Sequence, residues 1–239
     1  MGRAHEVRKV AMAKTAAKKS KLYAKYGKEI YMQAKSGVPD PEINLNLRRI
    51  IERARKDQVP NDVIDRAIDK AKGGSDENYL ETRYEFFGPG GSQFIVECLT
   101  DNPTRTIADV RNCFTKTGGK SGSVLHSFQH QSMFSFQGIT DEDALEALIM
   151  GEADIIDIEV EDDFVTVYGE ITEYHHIRTA LLETYPDLEL EIDEITWLPL
   201  SYIKLTDDKD KEAFEKLQTM LDDVDDVQNV YHNIEIETA

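Results

Sequence analysis

Five lysines near the N-terminus have the spacing of one face of an α-helix. They are Lys14, Lys18, Lys21, Lys25 and Lys28, separated by 4, 3, 4 and 3 residues. At about 100° per residue, their ammonium groups fall within roughly 80° of one another on the helix. Such a row of ammonium groups can bind successive phosphates of a nucleic acid by charge. We call these five residues the lysine row.

The lysine row has almost none of the acidic neighbours that usually accompany a charged helix surface. No Asp or Glu occurs between Arg8 and Lys28, although opposite charges at i,i+4 would favour a purely structural surface. An anionic membrane would also attract lysines, but a membrane-surface helix needs a free apolar face. The apolar residues opposite the row are expected to pack against the protein instead: Met12, Leu22, Tyr23, Tyr26 and Ile30. We therefore predict phosphate binding, with a solvated helix face as the alternative.

A second group of cations follows the Asn-Pro at positions 102 and 103. Asn102 can cap a helix whose first residue is Pro103. Arg105 and Lys116, eleven residues apart, differ by about 20° around that helix and point the same way. Lys120 lies in the GGKSG stretch after the helix, which we interpret as a flexible basic loop. A capped helix N-terminus beside Arg105 could hold an anion, and an ordinary solvated face is the alternative.

The remaining motifs give no support for catalysis or metal binding. The GPGG cluster at 88–91 lacks the lysine and the following helix of a P-loop, and predicts a hairpin turn between two strands. His126 and His130 have no Cys or Glu at zinc-ligand spacing. The acidic run at 222–226 lacks the calcium-loop pattern and is interpreted as a solvated link. We predict no enzyme, no metal, no cofactor and no small-molecule substrate.

Composition and charge indicate a basic module on an acidic body. The 239 residues are 40% hydrophobic, enough to fill packed cores. No apolar run has the roughly 20 residues of a transmembrane helix, and the two cysteines suggest a reducing compartment, so we expect a cytoplasmic protein. Residues 1–72 carry 18 Lys and Arg against 9 Asp and Glu, a net +9, whereas residues 73–239 carry 10 against 37, a net −27.

Three helices are predicted at the N-terminus. The first runs over 8–35 and ends at a Ser-Gly pair. The second starts at Asp40-Pro41 and runs to about Asp57, with apolar residues at three-to-four spacing. The third starts at the Val-Pro-Asn of 59–61 and is closed by two glycines at 73 and 74. Residues 1–76 are therefore predicted to be an all-α domain.

The pattern after residue 79 is that of α+β structure. The predicted strands are 83–87, 93–99, 123–128, 133–137, 154–160, 163–168, 188–196, 200–205 and 227–236, and the predicted helices are 102–117, 141–151, 171–184 and 208–222. From 133 to 196 the order β-α-β-β-α-β is that of a ferredoxin-like unit. We thus predict an α+β protein in which the all-α domain precedes two α+β domains. One α+β domain is formed by 77–131 and 199–239, and the ferredoxin-like βαββαβ domain, 132–198, is inserted in it.

Two long stretches resemble a known family. KLYAKYGKEIYMQAKSGVPDPEINLNLRRIIERARKDQVPNDVIDRAIDKAKGG and YEFFGPGGSQFIVECLTDNPTRTIADVRNCFTKTGGKSGSV are similar to the YebC/PmpR family of probable transcriptional regulators. The resemblance implies three domains and cytoplasmic DNA binding that alters transcription. It also implies that the lysine row and the region of Arg105, Lys116 and Lys120 face nucleic acid. Because the family is similar to the mitochondrial translational activator of cytochrome c oxidase, RNA or the ribosome is the alternative partner.

Overall fold

The computed structural model describes residues 19–74 and 78–235. Within them it has seven α-helices: α1 (Lys19–Ser36), α2 (Leu45–Lys56), α3 (Asn61–Lys72), α4 (Pro103–Lys116), α5 (Asp141–Met150), α6 (Tyr174–Thr184) and α7 (Asp208–Asp222). The strands are β1 (Leu80–Phe87), β2 (Gln93–Thr100), β3 (Lys120–Ser121), β4 (Phe128–Phe136), β5 (Asp157–Glu161), β6 (Phe164–Gly169), β7 (Leu190–Pro199) and β8 (Val227–His232). The fold is α+β, as predicted from the sequence.

The described chain divides into two compact units. The first unit contains residues 19–124 and Leu205–His232, and the second contains Leu125–Lys204 and residues 233–235. The first unit therefore includes both the helical region and a four-stranded sheet. That the helical region is a separate domain, 1–76, remains a prediction.

The helical region has one core, to which each of its three helices contributes an apolar face. The fully or nearly buried members are Tyr26, Ile30, Tyr31, Ala34, Leu47, Ile50, Ile51, Ala54, Val59, Ile64, Ala67 and Ile68. Leu22 and Tyr23 of α1 pack against this core. The apolar face predicted for α1 is thus confirmed from Lys19 onward, while the predicted segment 8–18 lies outside the described residues.

The predicted start of the second helix is wrong. Helix α2 begins at Leu45 and is capped by Asn44, whose side chain accepts a hydrogen bond from the Leu47 N–H at 3.0 Å. Asp40 closes a turn instead, since its carboxylate accepts a bond from the Glu42 N–H at 2.9 Å. An Asp-Pro pair suits a turn as well as a helix start, and the sequence pattern did not distinguish the two.

The first unit's sheet has the antiparallel order β3-β1-β2-β8. The GPGG cluster is the turn of the β1–β2 hairpin, as predicted, with a short 3-10 turn at Pro89–Gly91. Gly90 and Gly91 have φ values of 64° and 76°, which glycine adopts without steric cost. Helix α4 packs on this sheet through aromatic rings: Phe114 stacks on Phe86 at 4.1 Å and meets Phe94 edge-on at 5.3 Å.

The second unit has the ferredoxin-like arrangement that the sequence predicted. Its sheet has the order β5-β6-β4-β7 with all neighbours antiparallel. Helices α5 and α6 supply apolar side chains to the same core as the sheet, including Leu148, Tyr174 and Ile177 against Phe134 and Phe136.

Two strand predictions are wrong. Residues 200–205 form only a single bridge, between Ile203 and Ile234, because a short apolar run favours a strand only where a neighbour can pair along it. The strand predicted at 123–128 is a 3-10 turn, Leu125–Ser127, followed by β4.

Candidate nucleic-acid interface

The lysine row contacts acidic partners that lie far away in the sequence. Lys21 forms an ion pair with the Asp223 carboxylate, and its Nζ donates to the Asp222 carbonyl oxygen at 3.1 Å. Lys28 Nζ donates to the Asp225 carbonyl oxygen at 2.9 Å and to Asp226 Oδ1 at 3.0 Å. The expectation of an outward-facing row without acidic partners is therefore wrong for these two lysines.

The partners belong to residues 222–226, which join α7 to β8 and which we call the acidic link. Its sequence is Asp-Asp-Val-Asp-Asp, and each Asp-Asp pair holds one lysine through the carbonyl of its first residue and the carboxylate of its second. Lys21 and Lys28 are two helical turns apart, about 10.5 Å along α1. The interpretation of this run as a merely solvated link is thus corrected.

Of the remaining lysines of the row, Lys25 is the one within the described residues. Lys14 and Lys18 lie outside the described residues. Lys25 is half-buried on α1, between the two lysines that the acidic link holds, and has contacts of its own.

Asp226 is the centre of this network. Its side chain is 8% exposed, and the Arg105 guanidinium donates to its Oδ2 at 2.8 Å while Lys28 donates to Oδ1. The hydroxyls of Thr106 and Thr100 lie 2.8 and 3.1 Å from the same Oδ2. Burial favours the neutral acid, but the hydrogen bonds from Arg105, Lys28 and Thr106 outweigh it and lower the pKa of Asp226 to about 2.

Arg105 is placed at this centre by the start of α4. Asn102 caps the helix, as predicted, by accepting a hydrogen bond from the Arg105 N–H at 3.1 Å. The guanidinium also donates to Asp101 Oδ1 at 2.8 Å, and its hydrogen bonds to Asp226 and Asp101 raise the pKa of Arg105 above its usual range. The anion beside Arg105 is therefore a pair of the protein's own carboxylates.

Removing the Asn102 cap should have a modest effect on stability. We expect Asn102→Ala to lower the free energy of unfolding by about 1 kcal/mol, because the first turn of α4 loses the acceptor for one N–H. Urea unfolding followed by far-UV circular dichroism measures the change. Asn102→Asp keeps an acceptor at the same position and should retain most of the stability, so an equal loss in both variants would contradict the capping role.

A cleft of about 850 Å³ lies between α1, α4 and the acidic link. Tyr79, Asn112 and Met220 are among its lining residues. The charged residues on its wall are Lys28, Arg105, Asp101, Asp109, Asp223, Asp225 and Asp226. With two cations against five carboxylates, this cleft repels a polyanion as long as the acidic link stays in place.

Lys116 and Lys120 lie at the opposite end of α4 from Arg105. Lys116 is exposed in the last turn, eleven residues or about 16 Å along the helix from Arg105. Lys120 is exposed in β3, which pairs with β1 through Phe87, and its Nζ lies 6.0 Å from the Phe87 ring. A Cβ on Gly122 would come within 2.3 Å of that ring. The GGKSG stretch is thus partly a sheet edge, not the flexible loop predicted, and it holds Lys120 on the surface.

Several cations also have aromatic contacts that no single motif indicated. Lys28 Nζ lies 5.6 Å from the centre of the Tyr79 ring, and Lys35 and Lys70 lie 5.5 and 5.4 Å from that of Tyr31. These distances are within the range of cation–π attraction. Helical spacing does extend the row to Lys35, but the tyrosines that receive the ammonium groups are revealed only by the fold.

The histidines considered as metal ligands have other surroundings. The His130 ring stacks on Trp197 at 4.1 Å, and His126 is exposed. Across residues 19–74 and 78–235, no group of three or more His, Cys, Asp or Glu is arranged to hold a metal ion. Among the helices in those same ranges, none has the length and apolar character needed to cross a membrane.

The chain is of the α+β class that combines a helical region with two antiparallel sheets, one of them in a ferredoxin-like arrangement. A crystal structure of a conserved hypothetical protein from Aquifex aeolicus belongs to this class. It matches this chain with a TM-score of 0.76 and 33% sequence identity, over 95% of this chain and 94% of that one.

The chain belongs to the TACO1/YebC family. The family's N-terminal domain matches residues 3–74, and its second and third domains match residues 79–234. A probable transcriptional regulatory protein of Alteromonas mediterranea is 55% identical over 98% of both chains. Proteins with the same description in Pseudoalteromonas atlantica and Vibrio vulnificus are 54% and 53% identical, over 99% of this chain and 98% and 100% of theirs.

Proposed function

We propose that this protein is a non-enzymatic, cytoplasmic regulator that binds nucleic acid, with duplex DNA as its target. The segregation of charge carries the proposal: a net +9 over residues 1–72 on a chain whose total is −18. Concentrated positive charge is the electrostatic footprint of a protein that binds phosphates. The description of the relatives as probable transcriptional regulatory proteins supports the same function.

Besides Lys21, Lys28 and Arg105, the cations singled out in the sequence are the proposed phosphate contacts. They are Lys14, Lys18, Lys25, Lys116 and Lys120. Contacts of this kind fix a protein on a duplex but read no sequence. Lys21, Lys28 and Arg105 complete the proposed interface, but their present partners are carboxylates and carbonyl oxygens of the protein itself.

Crosslinking in cells, followed by sequencing of both DNA and RNA, tests the proposed target. We expect recovery of DNA from promoter regions above the level given by a non-crosslinked control. Recovery of ribosomal or messenger RNA without promoter enrichment would assign the protein to translation instead.

Lys116 and Lys120 can be tested together on short duplexes of unrelated sequence. Reversing both to Glu should weaken binding roughly tenfold for every sequence and make the slope of log K against log salt shallower by about 1.8, as expected for two lost phosphate contacts. Fluorescence anisotropy measures both quantities. Lys209→Glu with Lys211→Glu changes two exposed lysines of α7 by the same charge. An equal loss in that control would show that only net charge matters.

A further inference from the structure

We propose that the acidic link is a built-in competitor for nucleic acid: it occupies the phosphate-binding face of α1 and keeps a duplex from Lys21 unless the link is displaced there. This proposal rests on the proposed function, because it assumes that α1 binds phosphates. It adds that the acidic link limits the affinity for nucleic acid, and that the link is displaced first at its Lys21 end.

The contacts of the acidic link resemble those that a phosphate backbone would make. Each of Lys21 and Lys28 receives two oxygen acceptors from a continuous anionic segment. Nucleic acid also presents closely spaced anionic oxygens, which ammonium groups bind as point charges. The acidic link and a nucleic acid therefore compete for the same ammonium groups.

The two ends of the acidic link are held with unequal strength. At the Lys21 end the side chains of Lys21 and Asp223 are 31% and 65% exposed, and an ion pair this open to water contributes little stability. At the Lys28 end the side chains of Lys28 and Asp226 are 19% and 8% exposed. There the Arg105 guanidinium and two threonine hydroxyls also contact Asp226. Displacement should begin at Asp223 while Asp226 stays anchored.

The experiment neutralises the exposed part of the acidic link in the full-length chain. Asp223→Asn with Asp225→Asn is compared with Asp162→Asn and Asp163→Asn, a pair of exposed residues between β5 and β6 that gives the same change in net charge. Binding to a short duplex DNA at about 0.1 M salt, where backbone contacts still count, is measured by anisotropy. We expect the variant with Asp223→Asn and Asp225→Asn, the link variant, to bind about fivefold more tightly than the control pair. Its slope of log K against log salt should be steeper by about 0.9, as expected for one added phosphate contact.

Two further measurements decide between the outcomes. Adding Lys21→Met to the link variant should cancel the gain, because the released ammonium group is then absent. Acetylation of the native protein, read by mass spectrometry, should modify Lys21 faster in the link variant than in wild type, and this readout needs no nucleic acid. If the link variant shows unchanged Lys21 acetylation, or an affinity equal to that of the control pair, the acidic link is not a competitor, and the proposed function still stands. If Lys21 acetylation is faster but no variant binds duplex DNA, the proposed function is wrong, and the proposal that the acidic link competes with nucleic acid fails with it.

Discussion

Asp226→Asn is expected to lower the free energy of unfolding by about 3 kcal/mol at neutral pH, because it removes the buried charge to which Lys28 and Arg105 are paired. The amide keeps the shape of the carboxylate, so the loss reports charge rather than packing. Asp225→Asn, one residue earlier and exposed, should change stability by less than about 0.5 kcal/mol. Urea unfolding followed by far-UV circular dichroism gives both values. Equal stability of the two variants would contradict the central role of Asp226.

The same variant makes the pH dependence of this network measurable. The pKa of Asp226 is lowered from 3.8 to about 2, so its ionised form stabilises the folded state fully above pH about 5, and this contribution is lost as pH falls toward 2. The shift corresponds to about 2 kcal/mol. The stability difference between wild type and Asp226→Asn should therefore shrink by about that amount as pH falls from about 5 to 2. A difference that stays constant over this window would show that the carboxylate is not stabilised by its partners.

Features that depend on neighbouring residues were predictable from the sequence. The apolar spacing of α1, the Asn102 cap, the GPGG hairpin and the βαββαβ order all follow from local rules about periodicity, capping and turns. Each of these rules relates residues within a few positions of each other. The bounds of α7, Asp208–Asp222, were predicted to the residue.

The partners of the lysine row were not predictable in this way. Lys21 and Asp223 are separated by 202 residues, and Lys28 and Asp226 by 198. Within α1 the only acid is Glu29, four residues after Lys25, and the long-range fold supplies the charges that pair with Lys21 and Lys28. The sequence contains two complementary features: a row of lysines with few acidic neighbours, and an aspartate run that lacks the calcium-loop pattern. Neither feature alone indicates that they meet.

The errors at Asp40 and at 200–205 have a similar origin. An Asp-Pro pair can cap a helix or close a turn. Asn44 decides between the two, because it contacts the end of α1 as well as α2. Its side-chain amide donates to the Gln33 carbonyl oxygen at 2.9 Å. Residues 200–205 have strand propensity, but their β-type pairing is limited to the isolated bridge between Ile203 and Ile234. In both places tertiary contacts override a reasonable local preference.

The second large effect concerns the three lysines of the row other than Lys21 and Lys28. Reversing Lys14, Lys18 and Lys25 to Glu should weaken duplex binding by at least roughly a hundredfold and make the salt slope shallower by about 2.7, since three of five proposed phosphate contacts become repulsive. The fold should survive, because the helical core is formed by Tyr26 and Ile30 of this segment and does not include Lys25. An unchanged circular dichroism spectrum is the control. A loss of affinity limited to certain DNA sequences would contradict a role in phosphate contact.

The measurement that tests the central claim most directly is the salt dependence of binding of the full-length protein to duplex DNA. Five phosphate contacts predict a slope of log K against log salt near −4.5. That slope should be the same for duplexes of unrelated sequence, because phosphate contacts do not read bases. A slope near zero, or no binding at about 0.05 M salt, where exposed charges are only weakly screened, would contradict the account.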